Sequence, residues 1–166
     1  AAMVASIILM AIVLAAIFGP MLHPVDPFEM VWAPFTPPGQ DGFVLGTDYL
    51  GRDMLAALLN GGRVSLTIGL VAALMSVFIG ISFGALAGFY RGVVEEILMR
   101  ITEFFQVLPT LLFSMVIVAL FGASLEVVTI AIGIVSWTAV ARITRAEFLR
   151  IRELEYVTAS RAAGAS

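Results

Sequence analysis

Four long apolar stretches, separated by segments rich in charge, proline or glycine, set the pattern of the chain. Residues 1–18, 64–90 and 104–121 carry no charged side chain, and residues 125–141 carry one. An α-helix rises 1.5 Å per residue, so about 20 apolar residues cross the ~30 Å hydrocarbon core of a bilayer. The pattern therefore predicts an all-α membrane protein, a multi-span helical bundle with four spans.

The first stretch, residues 1–18, is interpreted as a transmembrane helix. A secretory signal peptide is the alternative, but its apolar centre is usually about 7–15 residues long. Residues 19–62 hold six of the seven prolines and more acids than bases, which indicates a water-exposed, largely irregular loop. We expect one short helix in this loop, beginning near Asp53 and ending at Asn60-Gly61.

The second stretch contains a regular series of small residues. Ser76, Gly80, Gly84 and Gly88 recur every four residues and therefore lie on one face of a helix. In lipid, such a face lets another helix approach closely, whereas each glycine would otherwise cost about 1 kcal/mol relative to alanine. We interpret the series as a helix-packing seam, and a ligand-facing role is the less favoured alternative.

Pro109 interrupts the third stretch and removes a backbone donor, so a kink is expected there. Gln106 and Thr110 lie beside it. They either satisfy the freed carbonyl groups or line a pathway for a polar substrate, and the structural role is favoured. Before this stretch, Glu96 and Arg100 are spaced to pair at i, i+4 on a helix surface.

Residues 142–166 follow the fourth stretch and carry five of the nine arginines. Four apolar side chains recur there every third residue: Phe148, Ile151, Leu154 and Val157. This spacing predicts one helix with an apolar and a charged face. Small residues follow, and Gly164 can end a helix in a left-handed conformation. We interpret this tail as a docking element attached to the spans in residues 63–141.

Composition and charge support a membrane location. The chain is 61% hydrophobic and 13% charged, whereas a soluble domain carries about 25% charged residues. Arginine-rich segments stay in the cytoplasm. Arg91, Arg100 and the arginine-rich tail fall on one side of an alternating path, so we expect the tail inside and residues 19–62 outside.

Two segments resemble a known family. LGTDYLGRD (residues 45–53), followed by GGRVSLTIG (residues 61–69), is similar to the segment that opens the core of permease subunits in bacterial binding-protein-dependent ABC importers of the dipeptide, oligopeptide and nickel class. EYVTASRAAGAS (residues 155–166) resembles the cytoplasmic loop of that family, written as Glu-Ala-Ala, three residues, then Gly. Here Thr158 replaces the acid and Ser160 the second alanine.

The resemblance implies a six-span permease core in the bacterial cytoplasmic membrane, with four of its spans in this sequence. It implies ATP-driven import of peptides or similar small solutes by alternating access. The implied partners are a homologous second permease subunit, two cytoplasmic ATPase subunits, an external solute-binding protein and membrane lipid. The tail would be a coupling helix docking on an ATPase through Glu155, Tyr156, Thr158, Ala159, Ser160, Arg161, Ala162, Ala163 and Gly164.

Other classes of function are disfavoured. The spans hold hydroxyl groups without the His, Lys or Asp partner that an intramembrane enzyme would need. His23 and Asp26 are too few to hold a metal ion, and no cysteine is present. We expect no catalytic residue, no cofactor and no nucleic-acid partner, with ATP hydrolysed by the partner subunits. The alternative function is a non-transport anchor or receptor whose basic tail docks an unrelated cytoplasmic partner.

Overall fold

The computed structural model describes residues 2–164, and this range contains six helices. The helices are α1 (Ala2–Leu22), α2 (Met54–Tyr90), α3 (Gly92–Val107), α4 (Thr110–Phe121), α5 (Leu125–Arg152) and α6 (Glu155–Ala162). Three of them, α1, α2 and α5, are long and apolar enough to cross a membrane, and the bent pair α3–α4 raises the number to four. The chain divides into two units, residues 1–67 and 68–166, which are described separately.

In the first unit, α1 runs four residues beyond the apolar stretch and includes Gly19 and Pro20. Pro20 lies in the last turn, where only a little helix remains to be disturbed. Gly19 contacts the start of α2, since a Cβ built on it would lie 2.4 Å from a terminal carbon of Leu59. The small residue thus lets these two helices approach closely.

The connection from α1 to α2 is held by hydrogen bonds between nearby loop residues. The buried hydroxyl of Thr47 donates to the carbonyl of Ala33 (2.7 Å) and accepts from the amide of Thr36 (2.9 Å). The carboxylate of Asp48 accepts from the amides of Leu50 (2.8 Å) and Arg52 (2.9 Å). These bonds satisfy polar backbone groups that regular secondary structure would otherwise pair.

The helix that follows Asp53 does not stop at Asn60-Gly61, so the prediction of a separate short helix was wrong. Instead α2 continues to Tyr90 as one helix of 37 residues. The amide of Asn60 donates to the carbonyl of Ala56 one turn earlier (2.9 Å), and Gly61 is not among the residues with positive φ. A glycine lowers helix propensity but ends a helix only where it turns left-handed.

In the second unit, α2 and α5 run parallel. A Cβ built on Gly133 would lie 3.1 Å from Met75, and one built on Gly88 would lie 2.5 Å from Phe148. The residue numbers therefore rise together along both helices. Because α2 and α5 end on the same side, residues 91–124 must carry the chain back across the bundle. This return makes the α3–α4 pair a broken span.

The break falls at the predicted proline. Helix α3 ends at Val107, Leu108 is extended, and α4 begins after Pro109. A residue before proline avoids the helical region, so the interruption spreads to Leu108. The two helices meet at 85°, a sharper change of direction than a kinked continuous helix. With 12 residues, α4 is about 18 Å long and cannot cross the bilayer core alone.

The fourth span is longer than its apolar stretch, because α5 continues without interruption to Arg152. It begins at Ser124, whose hydroxyl accepts from the amide of Val127 (3.3 Å). The predicted single amphipathic helix across the tail was wrong. The chain breaks at Glu153, whose amide donates to carbonyls of the preceding turn, and α6 begins two residues later.

Candidate docking segment and its attachment to the bundle

Residues 153–164, called here the docking segment, consist of the break after α5, the eight-residue helix α6 and the turn that follows. The predicted docking residues whose side chains are described are all exposed: Glu155, Tyr156, Thr158, Ala159, Ser160, Ala162, Ala163 and Gly164. Tyr156 retains 66% of its accessible surface. The side chain of Arg161 lies outside the described part of the chain. The segment thus presents one large aromatic ring among small residues.

Thr158, which stands where the related loop has an acid, is bonded to the residue just before α6. Its hydroxyl donates to the carbonyl of Leu154 (2.9 Å), as serine and threonine often do in helices. Gly164 follows the helix with φ +96°, a conformation that favours glycine. A Cβ at Gly164 would meet no atom within 4 Å, so its backbone conformation, and not space, calls for glycine there.

The docking segment is joined to the spans by residues 142–152 of α5, called here the α5 extension. The structure places Ser76, Gly80, Gly84 and Gly88 on the α2 face that contacts α5, called here the glycine face. A Cβ on Gly80 would lie 2.5 Å from Cβ of Val140, and one on Gly84 would lie 2.4 Å from the carbonyl oxygen of Ala141. These helices approach more closely than any larger residue would permit.

Three arginines of this stretch bond to neighbouring helices. The guanidinium of Arg145 donates to Oε1 of Glu95 on α3, with its Nε at 2.7 Å and its second contact through Nη2. Arg142 donates to Gln106 on α3 (2.9 Å). Arg152 donates to the carbonyl of Phe89 (3.1 Å), in the last turn of α2, where helical carbonyls lack intrahelical partners. The tail arginines therefore act partly as structural contacts.

The pairing on α3 differs from the prediction. Arg100 lies 3.5 Å from Glu103, three residues on, rather than pairing with Glu96. The carboxylate that joins α3 to α5 is that of Glu95, which no sequence pattern indicated. Its partner is 50 positions away, and no local spacing rule connects such residues. Glu95 also lies in the first turn of α3, where a negative charge is favourable.

Gln106 takes a role that neither interpretation anticipated, because its side-chain oxygen accepts from Arg142. Both residues line a cavity of about 720 Å³ between α3 and α5, together with Thr102 and Glu103. The side chain of Thr110 lies outside the described residues. The cavity has both polar and apolar lining residues, and a pathway role for Gln106 stays a prediction.

In the first unit, His23 and Asp26 have separate partners. His23 Nε2 lies 2.7 Å from Oδ2 of Asp53, whose side chain is 3% exposed, and Asp26 accepts from the amide of Phe28. Burial raises the pKa of Asp53, but hydrogen bonds from His23 and from the amides of Ala56 and Leu55 outweigh it. They hold that pKa below its ordinary value of 3.8. Residues 2–164 contain no group of three side chains suited to a metal ion.

Several hydroxyl groups on the long helices are bonded to backbone carbonyls of their own helix, and the hydroxyl of Ser76 on α2 bonds to the carbonyl of Gly133 on α5 (3.5 Å). Ser82 donates to Phe78 (2.8 Å) and Thr129 to Leu125 (2.6 Å). A hydroxyl held this way lacks the adjacent base that would make it a nucleophile. These hydrogen bonds therefore have a structural role.

The long apolar helices suit an integral membrane protein. The chain belongs to the family described as binding-protein-dependent transport system inner membrane components, which matches residues 80–166. Residues 1–38 match the N-terminal transmembrane domain of oligopeptide transport permease C. The protein is thus a multi-pass helical component of the inner membrane.

Individual relatives are named as peptide permeases. The chain is 44% identical to the di/tripeptide transport system permease protein DppC of Pseudomonas aeruginosa, over 95% of this chain and 54% of that protein. It is 35% identical to the dipeptide permease DppC of Haemophilus influenzae (99% and 58%) and 37% identical to the oligopeptide permease OppC of Bacillus subtilis (99% and 54%). The chain spans about half the length of these relatives.

Proposed function

We propose that this chain is part of the permease subunit of an ATP-driven importer that carries small peptides across the cytoplasmic membrane. The family membership supports transport, and the relatives' names favour peptides as cargo. The partners would be a second permease subunit, two ATPase subunits and an external solute-binding protein. ATP would be hydrolysed by the ATPase subunits.

The observation that carries the proposal is the placement of the docking segment. It is exposed at the end of a helix that runs unbroken from the packed part of the bundle to Arg152. A partner bound to α6 would therefore act directly on α5. Because α5 packs on α2 through the glycine face and on α3 through Arg142 and Arg145, movement of α5 would be shared by three helices.

In the proposed cycle, ATP binding draws the two ATPase subunits together, and each carries a docking segment with it. The packed helices then rock as a body and open the transport path alternately to each side. Helices packed at backbone contact suit this role, since such interfaces shift between discrete arrangements.

Sidedness provides a first test. The ends of α2 and α5 lie together, so Arg91 and the arginines of the α5 extension share one side, which the positive-inside rule assigns to the cytoplasm. In an otherwise cysteine-free full-length protein, cysteine at position 150, where the arginine side chain is exposed, should react with an impermeant maleimide only after the cells are opened. Labelling in intact cells would overturn the docking role.

Co-purification and uptake test the function itself. The full-length subunit, expressed with its operon neighbours, should retain ATPase subunits through purification and support uptake of labelled dialanine. Ala159→Trp places a large side chain on an exposed small position of α6, so it should remove ATPase retention while leaving membrane insertion unchanged. Retention and uptake at the wild-type level, at equal protein amounts, would argue against docking there. An unrelated cytoplasmic protein retained in place of an ATPase would favour the anchor or receptor alternative.

A further inference from the structure

One ion pair in the second unit differs from the other guanidinium–carboxylate pairs. Among the described residues, the pairs Arg100–Glu103 and Arg150–Glu147 each join residues three apart on one helix and are exposed. Arg145 and Glu95 instead join α5 to α3 across 50 positions of sequence. An exposed local pair contributes little to stability or to geometry. The long-range pair therefore needs a different explanation.

The pair is also partly withdrawn from water. The side chain of Glu95 is 19% exposed and that of Arg145 is 35% exposed. Both contacts of the guanidinium reach the same carboxylate oxygen, so the direction of the arginine side chain is fixed relative to α3. Withdrawing charges from water is unfavourable unless they remain paired, which makes separation of these two helices at this point costly.

The main chain of Arg145 is fixed from the opposite side by the glycine face. A Cβ built on Gly84 would lie 3.0 Å from the Arg145 nitrogen, and one built on Gly88 would lie 3.2 Å from its carbonyl oxygen. The same residue therefore touches α2 with its backbone and α3 with its side chain.

The position of Arg145 along α5 indicates the direction in which movement would be passed. It lies between the membrane-spanning part of the helix and the docking segment, seven residues before α5 ends at Arg152. Its partner Glu95 stands in the first turn of α3, just beyond the connection made by Arg91 and Gly92, both with positive φ. A displacement of α5 at this point would act on the first turn of α3.

We propose that Arg145 and Glu95 are the positioning pair through which movement of the docking segment is passed from α5 to α3. This inference rests on the proposed function. The glycine face and the aromatic cluster of Trp137, Phe83 and Phe105 hold the bundle together independently of the pair. Loss of the pair therefore uncouples ATP hydrolysis from transport while leaving the complex assembled.

The test uses the complete complex in proteoliposomes, with its solute-binding protein and labelled dialanine as the probe. Glu95→Gln and Arg145→Gln should each lower uptake about tenfold, with complex yield and ATP hydrolysis within about twofold of wild type. The reversed pair, Glu95→Arg with Arg145→Glu, should recover most of the uptake. Glu147→Gln, which removes the exposed local pair with Arg150 on α5, is the matched control and should leave uptake unchanged.

Each outcome bears on one of the two proposals. Wild-type uptake in both single variants, or a reversed pair no more active than the single variants, overturns the positioning role. Loss of complex yield in proportion to uptake overturns it too, because the pair would then serve assembly alone. A wild-type complex that retains no ATPase and takes up no peptide overturns the proposed function itself.

Discussion

The tightest position on the glycine face gives the sharpest prediction. A methyl group added in Gly84→Ala would lie 2.4 Å from the carbonyl oxygen of Ala141 and 2.7 Å from Cβ of Thr144. Non-bonded heavy atoms prefer a separation of about 3.5 Å, so α2 and α5 must move apart by roughly 1 Å. Overpacking of this kind costs about 1–3 kcal/mol. Alanine offsets about 1 kcal/mol of that through its higher helix propensity.

Gly69 supplies the matched control on the same helix. It is exposed, and a methyl group there would meet nothing within 4 Å. Gly69→Ala therefore gains helix propensity with no steric cost. The difference in free energy of unfolding between the two variants should equal the overpacking cost, about 1–3 kcal/mol, with Gly84→Ala the less stable.

The measurement is detergent-induced unfolding of the purified full-length protein, followed by tryptophan fluorescence. Trp137 is a suitable reporter, since it is 3% exposed and its ring lies 4.6 Å from that of Phe83. A second change, Thr144→Ala, should not rescue Gly84→Ala, because the nearest obstructing atom is a backbone oxygen. Equal unfolding midpoints for the Gly84 and Gly69 variants would refute the claim that α2 and α5 need backbone contact. Gly84→Leu should go further and reduce the yield of the assembled complex.

Three further changes test other parts of the chain. Gly164→Leu should abolish peptide uptake at normal protein level, whereas Gly164→Asn should retain part of it because asparagine tolerates positive φ. Equal uptake in the two variants would contradict the conformational reason for glycine at this position. Because the pKa of Asp53 is lowered, the ionised carboxylate stabilises the fold above pH 3.8, and this stabilisation is lost as the pH falls below that value. Thermal unfolding of Asp53→Asn should therefore lack the loss of stability at acid pH. The same pH profile in the variant and the wild type would count against this role of Asp53. Gly51→Ala should make the loop between α1 and α2 more sensitive to protease than Gly42→Ala. Both glycines have positive φ, but only at Gly51 would an added Cβ lie 2.0 Å from the carbonyl oxygen of Trp32. Equal cleavage rates would remove that distinction.

Apolar runs predicted the long helices because in lipid each backbone polar group must be paired within the segment. Pro109 likewise predicted an interruption, since the missing donor and the restriction on the preceding residue act locally. The fourth span was predictable for the same reason. Features decided within a few residues of sequence were thus predictable.

Features that depend on distant contacts or on weak local preferences could not be predicted from the sequence. The series at Gly80, Gly84 and Gly88 indicated a seam but could not name α5 as its partner or give the parallel direction. The pair of Glu95 with Arg145 depends on that register and leaves no local pattern. The break at Glu153 lacks glycine and proline, so the apolar spacing across it predicted one helix where two exist.

The size and exposure of α6 suit it to docking. Isolated helices shorter than about 12–15 residues are marginal in water, and α6 has eight residues with most side chains exposed. Its first turn is held by the carbonyl of Leu154, which accepts from the amides of Val157 and Thr158. Burial of Tyr156 and the small residues around it against a partner would supply the stabilisation that the chain itself provides only in part. In the proposed complex, binding of α6 by an ATPase subunit would therefore order the segment more fully than the chain does alone.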